Sequence, residues 1–193
     1  MKKLLCTLLV TLGLTTLAFI PQASAQTDVG LRAGINFANV NDRPNNFDPD
    51  SRTGFMVGGY ANIKVPMSPI SIQPEVLYSQ KGFEVGDGTV KVDYIEIPVL
   101  AKFSFAPGPI QPHVYFGPYA GFEINSKASG NNITVDIDNV NTDFGGIVGA
   151  GADINAGVSK LNLGVRYGFG LTKMFENSDV KNGVISVVAG ISL

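Results

Sequence analysis

The sequence predicts an all-β protein: an eight-stranded antiparallel up-and-down transmembrane β-barrel, preceded by a cleaved signal peptide. Three observations predict this fold. Apolar residues alternate with small or polar residues along eight separate runs, which is the period of a β-strand. The charged residues inside those runs share one face of their strands. Short and long connections alternate along the chain, as they do in a barrel built from consecutive hairpins.

The first 25 residues have the composition of a secretory signal peptide. Two lysines precede an apolar run that ends at Ile20, and a small-residue A-x-A cleavage pattern follows at 23–25. The run is nearly long enough for a membrane anchor, but the helix-breaking Pro21 follows it at once. We therefore expect residues 1–25 to be a Sec-type export signal and residues 26–193 to form one outer-membrane β-barrel domain in a Gram-negative cell envelope.

The remaining chain has a composition that argues against several function classes. Its only cysteine, Cys6, lies in the predicted signal, so we expect no thiol or disulfide chemistry. Cleavage of that segment would also remove its two lysines, so the remaining chain has 12 basic and 16 acidic residues. This balance gives no reason to expect a nucleic-acid partner. We also expect no cofactor and no metal.

The eight predicted strands have an apolar face opposite a mixed face of glycine and polar residues. The runs are 29–38, 54–65, 70–81, 94–103, 113–123, 143–154, 161–171 and 184–193. In the fourth run, YIEIPVLAKF, the residues Glu96, Pro98 and Lys102 share the mixed face. An even number of strands fits a bacterial outer-membrane barrel.

Nine charged residues in these runs lie on the mixed face: Arg32, Lys64, Glu75, Lys81, Glu96, Lys102, Glu123, Asp153 and Arg166. A lysine or arginine on the lipid face near the bilayer midplane would cost about 2–4 kcal/mol, so the uncharged face is the one that should meet lipid. A soluble ligand-binding barrel would show the reverse, with large apolar side chains inside. We therefore predict that the nine residues form a charge network in the barrel interior, while outer-membrane lipid covers the apolar face.

The connections between strands indicate which rim faces which compartment. Short connections follow the second, fourth and sixth strands, at 66–69, 104–110 and 155–157, and longer polar ones lie at 40–51, 82–91, 125–142 and 172–182. In outer-membrane barrels short turns face the periplasm and long loops face outward. Two oxygen-rich stretches, 41–50 and 136–143, could bind Ca²⁺, but they lack the EF-hand glycine and terminal glutamate, and we expect solvated loops there.

Several stretches carry a resemblance to a known family: IQPEVLYSQKG (72–82), YIEIPVLAKF (94–103), YFGPYAGF (115–122), DFGGIVGAGAD (143–153) and LGVRYGFGLT (163–172). In order and spacing they resemble the PorT-like outer-membrane β-barrel family of Bacteroidetes-type bacteria, which is similar in size and strand number to the small OmpX and OmpA barrels. Some members are associated with type IX secretion and gliding, so the resemblance implies components of such a complex as partners. The last strand resembles the sorting signal read by barrel-assembly machinery, which implies that machinery as a partner during biogenesis.

The interior charges predict a plugged barrel. Five are positive and four are negative, and an eight-stranded barrel is just wide enough for side chains to fill it. We expect paired ions in the interior and a structural or partner-docking role without catalysis. Two alternatives stay open, a narrow pore for small solutes and a lipid-modifying enzyme. The only histidine, His113, falls at the predicted periplasmic rim, where we expect a structural role.

Two further features concern the backbone. Pro74, Pro98 and Pro118 fall inside predicted strands, although proline cannot donate to the ladder. We expect each to mark a local bulge or a carbonyl served by interior water. The small residues of 145–151 resemble a dinucleotide-binding loop only faintly, because the glycine order is wrong, and we expect them to make room inside the barrel.

Overall fold

The computed structural model describes residues 27–41, 50–85, 88–130, 133–136, 142–172 and 181–193, so the predicted signal peptide lies outside the described residues. No helix in the described ranges is long and apolar enough to cross a membrane. The strands there are β1 (Thr27–Asn41), β2 (Asp50–Lys64), β3 (Ile70–Val85), β4 (Gly88–Ser104), β5 (Ile110–Gly130), β6 (Ile133–Asp136), β7 (Asp143–Ala156), β8 (Ser159–Gly170) and β9 (Lys181–Ser192).

Eight of these strands close into an antiparallel barrel. Hydrogen-bonded neighbours follow the order β4, β3, β2, β1, β9, β8, β7 and β5, and a further β4–β5 pairing completes the ring. The short strand β6 pairs only with the end of β5, between Lys127 and Gly130. The predicted eight-stranded barrel is therefore confirmed, with β6 as an addition to it.

The two faces of the barrel wall separate as the alternation predicts. On β1, Leu31 and Ile35 are 68% and 50% exposed on the outside, whereas Arg32 and Asn36 are each 1% exposed and face inward. On β4, the residues Glu96 and Lys102 of the YIEIPVLAKF run are likewise buried inside. An outer surface of exposed aliphatic and aromatic residues around a polar interior is the arrangement of a barrel in lipid.

The strands β3 and β4 extend further than predicted on the rim opposite the chain ends. Their pairing stays in register as far as Val85 and Gly88, so most of the connection predicted at 82–91 is strand. The extension could not be predicted from alternating apolar residues, because a strand beyond the lipid band needs no apolar face.

The strand β5 shows the same difference between prediction and structure. It runs for 21 residues, to Gly130, and β6 occupies 133–136, both inside the connection predicted at 125–142. The other two predicted long connections, 40–51 and 172–182, fall largely outside the described residues.

The bulges expected at Pro74, Pro98 and Pro118 are wrong. The pairing register is the same on both sides of each proline, and the two register shifts lie elsewhere in the sheet. β3 and β4 pair at Pro74 and resume at Leu77 with no inserted residue. The missing N–H donors therefore leave gaps in the ladder while the strands stay aligned.

Interior glycines make room for inward-pointing tyrosines. A Cβ added to Gly149 would lie 2.5 Å from Cζ of Tyr115, and one added to Gly145 would lie 2.6 Å from Cε1 of Tyr119. Both tyrosines are buried. Gly145 and Gly149 on β7 thus leave the space that the rings of Tyr119 and Tyr115 on β5 occupy.

Candidate functional site

A buried carboxylate held between two guanidinium groups lies at the centre of the barrel. Arg32 Nη1 donates to Oε1 of Glu75, and Arg166 Nη1 donates to its Oε2 over 3.0 Å. The Glu75 and Arg32 side chains are fully buried, and that of Arg166 is 3% exposed. β3 and β8 lie on opposite sides of the eight-strand ring, so the Glu75–Arg166 pair spans the interior.

Amide side chains extend this central cluster towards a second carboxylate. Arg32 Nη2 donates to Oδ1 of Asn162 over 2.8 Å, and Asn162 Nδ2 donates to Oδ1 of Asp153 over 2.6 Å. Lys102 Nζ donates to Oδ2 of Asp153 over 2.5 Å. Charge-assisted bonds of this kind are the stronger hydrogen bonds of proteins, so the cluster ties β1, β3, β4, β7 and β8 together through their side chains.

His113 lies near the start of β5, opposite the last residue of β4, Ser104, and its side chain is buried at 2% exposure. Its Nδ1 is 3.3 Å from the Gln111 carbonyl and 3.8 Å from Oδ1 of Asp153, while its Nε2 is 3.5 Å from Nδ2 of Asn162. Among the described residues, no serine or threonine hydroxyl is hydrogen-bonded to its ring. The imidazole therefore packs against the central cluster.

A second buried cluster, the upper cluster, lies nearer the rim where β3, β4 and β5 extend. Lys81 Nζ is 2.6 Å from Oε1 of Glu96 and 3.0 Å from Oδ2 of Asp143, and all three side chains are at most 5% exposed. The Tyr119 hydroxyl donates to the same Asp143 oxygen over 3.0 Å. The lysine ammonium also lies 4.7 Å from the centre of the Tyr119 ring, a cation–π distance.

Asp143 is the member of the upper cluster that the predicted network omits. Its position in the sequence fits the mixed face, two residues before Gly145. Because it stands at the very start of its run, next to a predicted loop, nothing in the alternation separates it from a solvated loop residue. Asp28 on β1 is a similar omission, since it lies one residue before the first predicted strand.

A third group of charges, the rim cluster, lies where the chain ends meet the short turns. Asp28 Oδ2 is 2.6 Å from Nζ of Lys160 and 3.4 Å from Nζ of Lys64. The two lysine side chains are 23% and 34% exposed.

The last predicted network residue, Glu123, is partly exposed near the other rim and accepts a hydrogen bond from Oγ of Ser126 over 2.8 Å.

Between the charged groups the interior is packed with side chains. Six apolar residues from five strands are buried there: Met56, Leu77, Leu100, Ile147, Val184 and Val188. A cavity of about 20 Å³ lies between the central and upper clusters, with Lys81 and Arg166 in its lining. That volume is about the size needed for one water molecule.

The described residues offer little to hold a metal ion. They contain no group of three or more His, Cys, Asp or Glu side chains placed to bind one. The oxygen-rich stretches 41–50 and 136–143 lie mostly outside the described ranges, and the described Asp143 is already bound to Lys81.

A closed barrel with an apolar outer wall and ions paired inside is a small integral outer-membrane protein. The family model described as outer membrane protein beta-barrel domain matches residues 22–176, and the chain belongs to that family. No curated protein matches the chain significantly. This match shows the outer-membrane barrel family and does not distinguish the PorT-like subfamily within it.

Solved structures share the fold at low sequence identity. Neisserial surface protein A is 16% identical, with 86% of this chain and 96% of that chain covered and a TM-score of 0.60. Ail, the attachment invasion locus protein of Yersinia pestis, solved with the heparin analogue sucrose octasulfate, is 16% identical over 87% and 99%, with a TM-score of 0.50. The outer membrane enzyme PagL is 13% identical over 83% and 97%, also with a TM-score of 0.50.

Proposed function

We propose that this outer-membrane barrel is a non-catalytic docking protein, in which a plugged interior gives rigid support to an extended sheet outside the membrane. The observation that supports this most is the length of β5. About 9–11 tilted residues are enough for a strand to cross the bilayer, whereas β5 has 21. Roughly half of the strand therefore stands beyond the lipid band.

The extended sheet is continuous with the barrel wall. β3, β4 and β5 stay paired above it, and Thr89 of β4 still faces Ser129 of β5. β7 pairs with β5 only up to Gly121, and β6 pairs with the end of β5 between Lys127 and Gly130. A sheet that rises on one side of the rim presents strand backbone to a partner outside the cell, which suits docking.

The plugged interior argues against the pore alternative. The Glu75–Arg166 pair crosses the barrel, and wide aqueous channels need about 16 strands. The enzyme alternative lacks a hydroxyl nucleophile hydrogen-bonded to the histidine among the described residues, because His113 meets only the Gln111 carbonyl, Asp153 and Asn162 at polar distances. Likeness to PagL at 13% identity extends to the fold alone.

The resemblance noted in the sequence supplies a candidate for the partner class. We extend the proposal to components of a secretion or gliding complex as the docked partner, and to export by a Sec-type signal at residues 1–25 followed by insertion through barrel-assembly machinery. None of these partners involves nucleic acid.

The proposal is tested by shortening the extended sheet. Residues 82–91 are replaced by Asn-Gly, which closes a tight hairpin after the Lys81–Val92 pair. We expect the variant to insert normally, judged by heat-modifiable gel mobility, and to lose the proteins that crosslink to the native chain in its own membrane. A full set of crosslinked partners on the shortened barrel would contradict docking by this sheet. A changed lipid A profile in a strain lacking the gene would contradict the non-catalytic role.

A further inference from the structure

The two faces of the extended sheet can be followed upward from the barrel wall by their strand pairing. Successive residues of a strand lie on opposite faces, and residues paired across strands share a face. Val92 pairs with Lys81 on one side and with Ser126 on the other, and all three are buried in the barrel interior. The face that continues upward from this row is here called the inner face, and the opposite one the outer face.

The inner face of the extended sheet is apolar above that row. Its first row consists of Ser51, Phe83, Val90, Ala128 and Val135, one from each strand from β2 to β6. The next positions up pair Val85 with Gly88, and Gly130 with Ile133. Serine is the single polar residue among these described positions, and no charged residue lies on them.

The outer face of the same strands is polar. Its rows, from the top downward, consist of Asp50, Glu84, Thr89, Ser129 and Thr134, then Gly82, Lys91, Lys127 and Asp136, and then Gln80, Asp93 and Asn125. Apart from the glycine, every residue at these described positions has a polar or charged side chain. The outer face therefore suits contact with water.

The polarity of the wall thus reverses where the strands leave the membrane. Within the barrel, apolar residues such as Leu31 are exposed on the outside and charged residues such as Arg32 lie inside. Above it, the apolar residues occupy the inner face. A strand outside the lipid band needs no apolar face, and a continuous one in water is disfavoured unless something covers it. Every described strand belongs to this single sheet, so no second layer of described strands covers the inner face.

The apolar part of the inner face has the size of an interaction site. The rows of Val92, Val90 and Gly88 follow one another at about 6.6 Å, and the width from β3 to β6 is about 14 Å at about 4.8 Å between strands. The resulting area is on the order of a few hundred Å², which is typical of apolar patches that bind a partner.

Acidic groups lie below this apolar surface, on the interior side of the wall. Glu96 and Asp143 both contact Lys81 in the upper cluster, and Glu123, which pairs with Tyr94, is partly exposed near the same rim. Three carboxyl groups therefore stand against one ammonium group. A partner that covers the inner face would gain from a positive charge placed towards the barrel mouth.

We propose that the inner face binds the apolar side of an amphipathic segment of a partner protein, with a lysine or arginine of that segment next to Glu123. This binding role rests on the docking role proposed above, and it defines the face used and the chemistry of the partner. The inner face is turned towards the axis of its own barrel, away from the surrounding lipid. A second barrel standing in the same membrane is turned towards its own axis too, so two inner faces do not meet.

Site-specific photocrosslinking tests which face is used. The photoreactive residue p-benzoylphenylalanine replaces Val90 or Val135 on the inner face, and Thr89 or Thr134 as the matched outer-face control one residue away. The full-length chain is illuminated in its native membrane, and the crosslinked peptides are sequenced by mass spectrometry. We expect protein adducts from the two inner positions only, on a segment with amphipathic spacing and a lysine or arginine within about one helical turn.

The other outcomes of the crosslinking experiment separate this proposal from the docking role. Adducts from the outer positions alone would overturn the use of the inner face while docking by the sheet stands. Adducts to another part of the same chain, or to a second copy of it, would overturn the partner protein as the occupant. Protein adducts from none of the four positions would overturn both the inner-face site and the docking role.

A binding measurement then tests the apolar and the charged parts of the site. A synthetic peptide that copies the crosslinked segment is titrated onto the purified chain in lipid vesicles. We expect Val90→Lys to weaken binding by about tenfold or more, and Thr89→Lys to change it by less than about twofold. Equal effects of these two variants would overturn the inner face as the site. Heat-modifiable gel mobility shows that each variant is folded, and Val90→Ser replaces Val90→Lys if that variant does not fold.

The charged contact has its own variant. We expect Glu123→Gln to weaken binding of the same peptide by about threefold and to reduce its dependence on salt concentration, because one charge pair is lost. Unchanged affinity and unchanged salt dependence would overturn the contact between the basic residue and Glu123.

Discussion

Two buried carboxylates of this barrel each have two cationic partners, but those partners differ in their exposure to solvent. Glu75 is held between Arg32 and Arg166 with all three side chains at most 3% exposed. Asp28 is approached by Lys64 and Lys160, which are 34% and 23% exposed at the rim. We therefore expect the burial of the cations, and not the number of ion pairs, to decide what each cluster contributes to stability. The central cluster should contribute more than the rim cluster, whose lysines keep access to solvent.

The largest expected effect follows from Glu75→Gln. The substitution leaves two buried guanidinium groups without their counter-charge, which costs about 3–5 kcal/mol when one partner of a buried pair is removed. Urea unfolding in lipid vesicles, followed by gel mobility, measures the loss. Asp28→Asn is the matched control, because it removes one carboxylate from between two cations at the rim. Equal losses in the two variants would contradict the distinction between the clusters.

A somewhat smaller loss is expected for Lys81→Met in the upper cluster. The change leaves Glu96 and Asp143 buried near each other, although Asp143 keeps the Tyr119 hydroxyl, and we expect a loss of about 3 kcal/mol. Adding Asp143→Asn removes one of the two uncompensated charges and should restore part of the stability. A double variant less stable than Lys81→Met alone in the same unfolding experiment would show that the charges are not coupled.

The next effect is steric. Gly149→Ala places a Cβ 2.5 Å from the Tyr115 ring, and overpacking of this kind costs about 1–3 kcal/mol. Gly168→Ala on β8 is the control, since the nearest atom to its added Cβ is 3.9 Å away. We expect Tyr115→Leu to remove most of the difference between the two alanine variants. If the two alanine variants unfold at the same urea concentration, the packing of tyrosine over glycine does not constrain the wall.

The smallest effect is expected at the rim. Asp28→Asn should change the free energy of unfolding by no more than about 1 kcal/mol, because partly exposed ion pairs are screened by solvent. Raising the salt concentration should shrink the effect further, since exposed charges lose their interaction within a Debye length. A loss of stability that is large and independent of salt would show that Asp28 contributes as a buried ion pair does, like Glu75.

Alternation along the chain was enough to predict the eight barrel strands and the side of the wall on which charges such as Arg32 and Glu96 lie. It could not predict which charges meet across the barrel, because partners such as Glu75 and Arg166 are 91 residues apart and their meeting depends on strand tilt and register. It also missed the upper parts of β3, β4 and β5. Strands outside the lipid band have no need for an apolar face, so their sequences resemble loops.

The three strand prolines show a second limit of sequence reasoning. A missing N–H donor predicts an interruption of the ladder, but it does not say whether the chain inserts a residue or skips a rung. Around Pro74 the neighbouring strands hold the register and a rung is skipped. His113 is a similar case, because its place near a turn in the sequence did not reveal that its ring packs over Gly151 on β7. A Cβ added to Gly151 would lie only 3.0 Å from Nε2 of His113.

The closed interior is the claim on which the proposed role depends, and the electrical conductance of the purified protein in planar lipid bilayers tests it most directly. A barrel crossed by the Glu75–Arg166 pair and packed with apolar side chains should leave the bilayer current at its baseline. Stable single-channel openings from the native sequence would contradict this account and return the narrow pore as the better explanation of the buried charges.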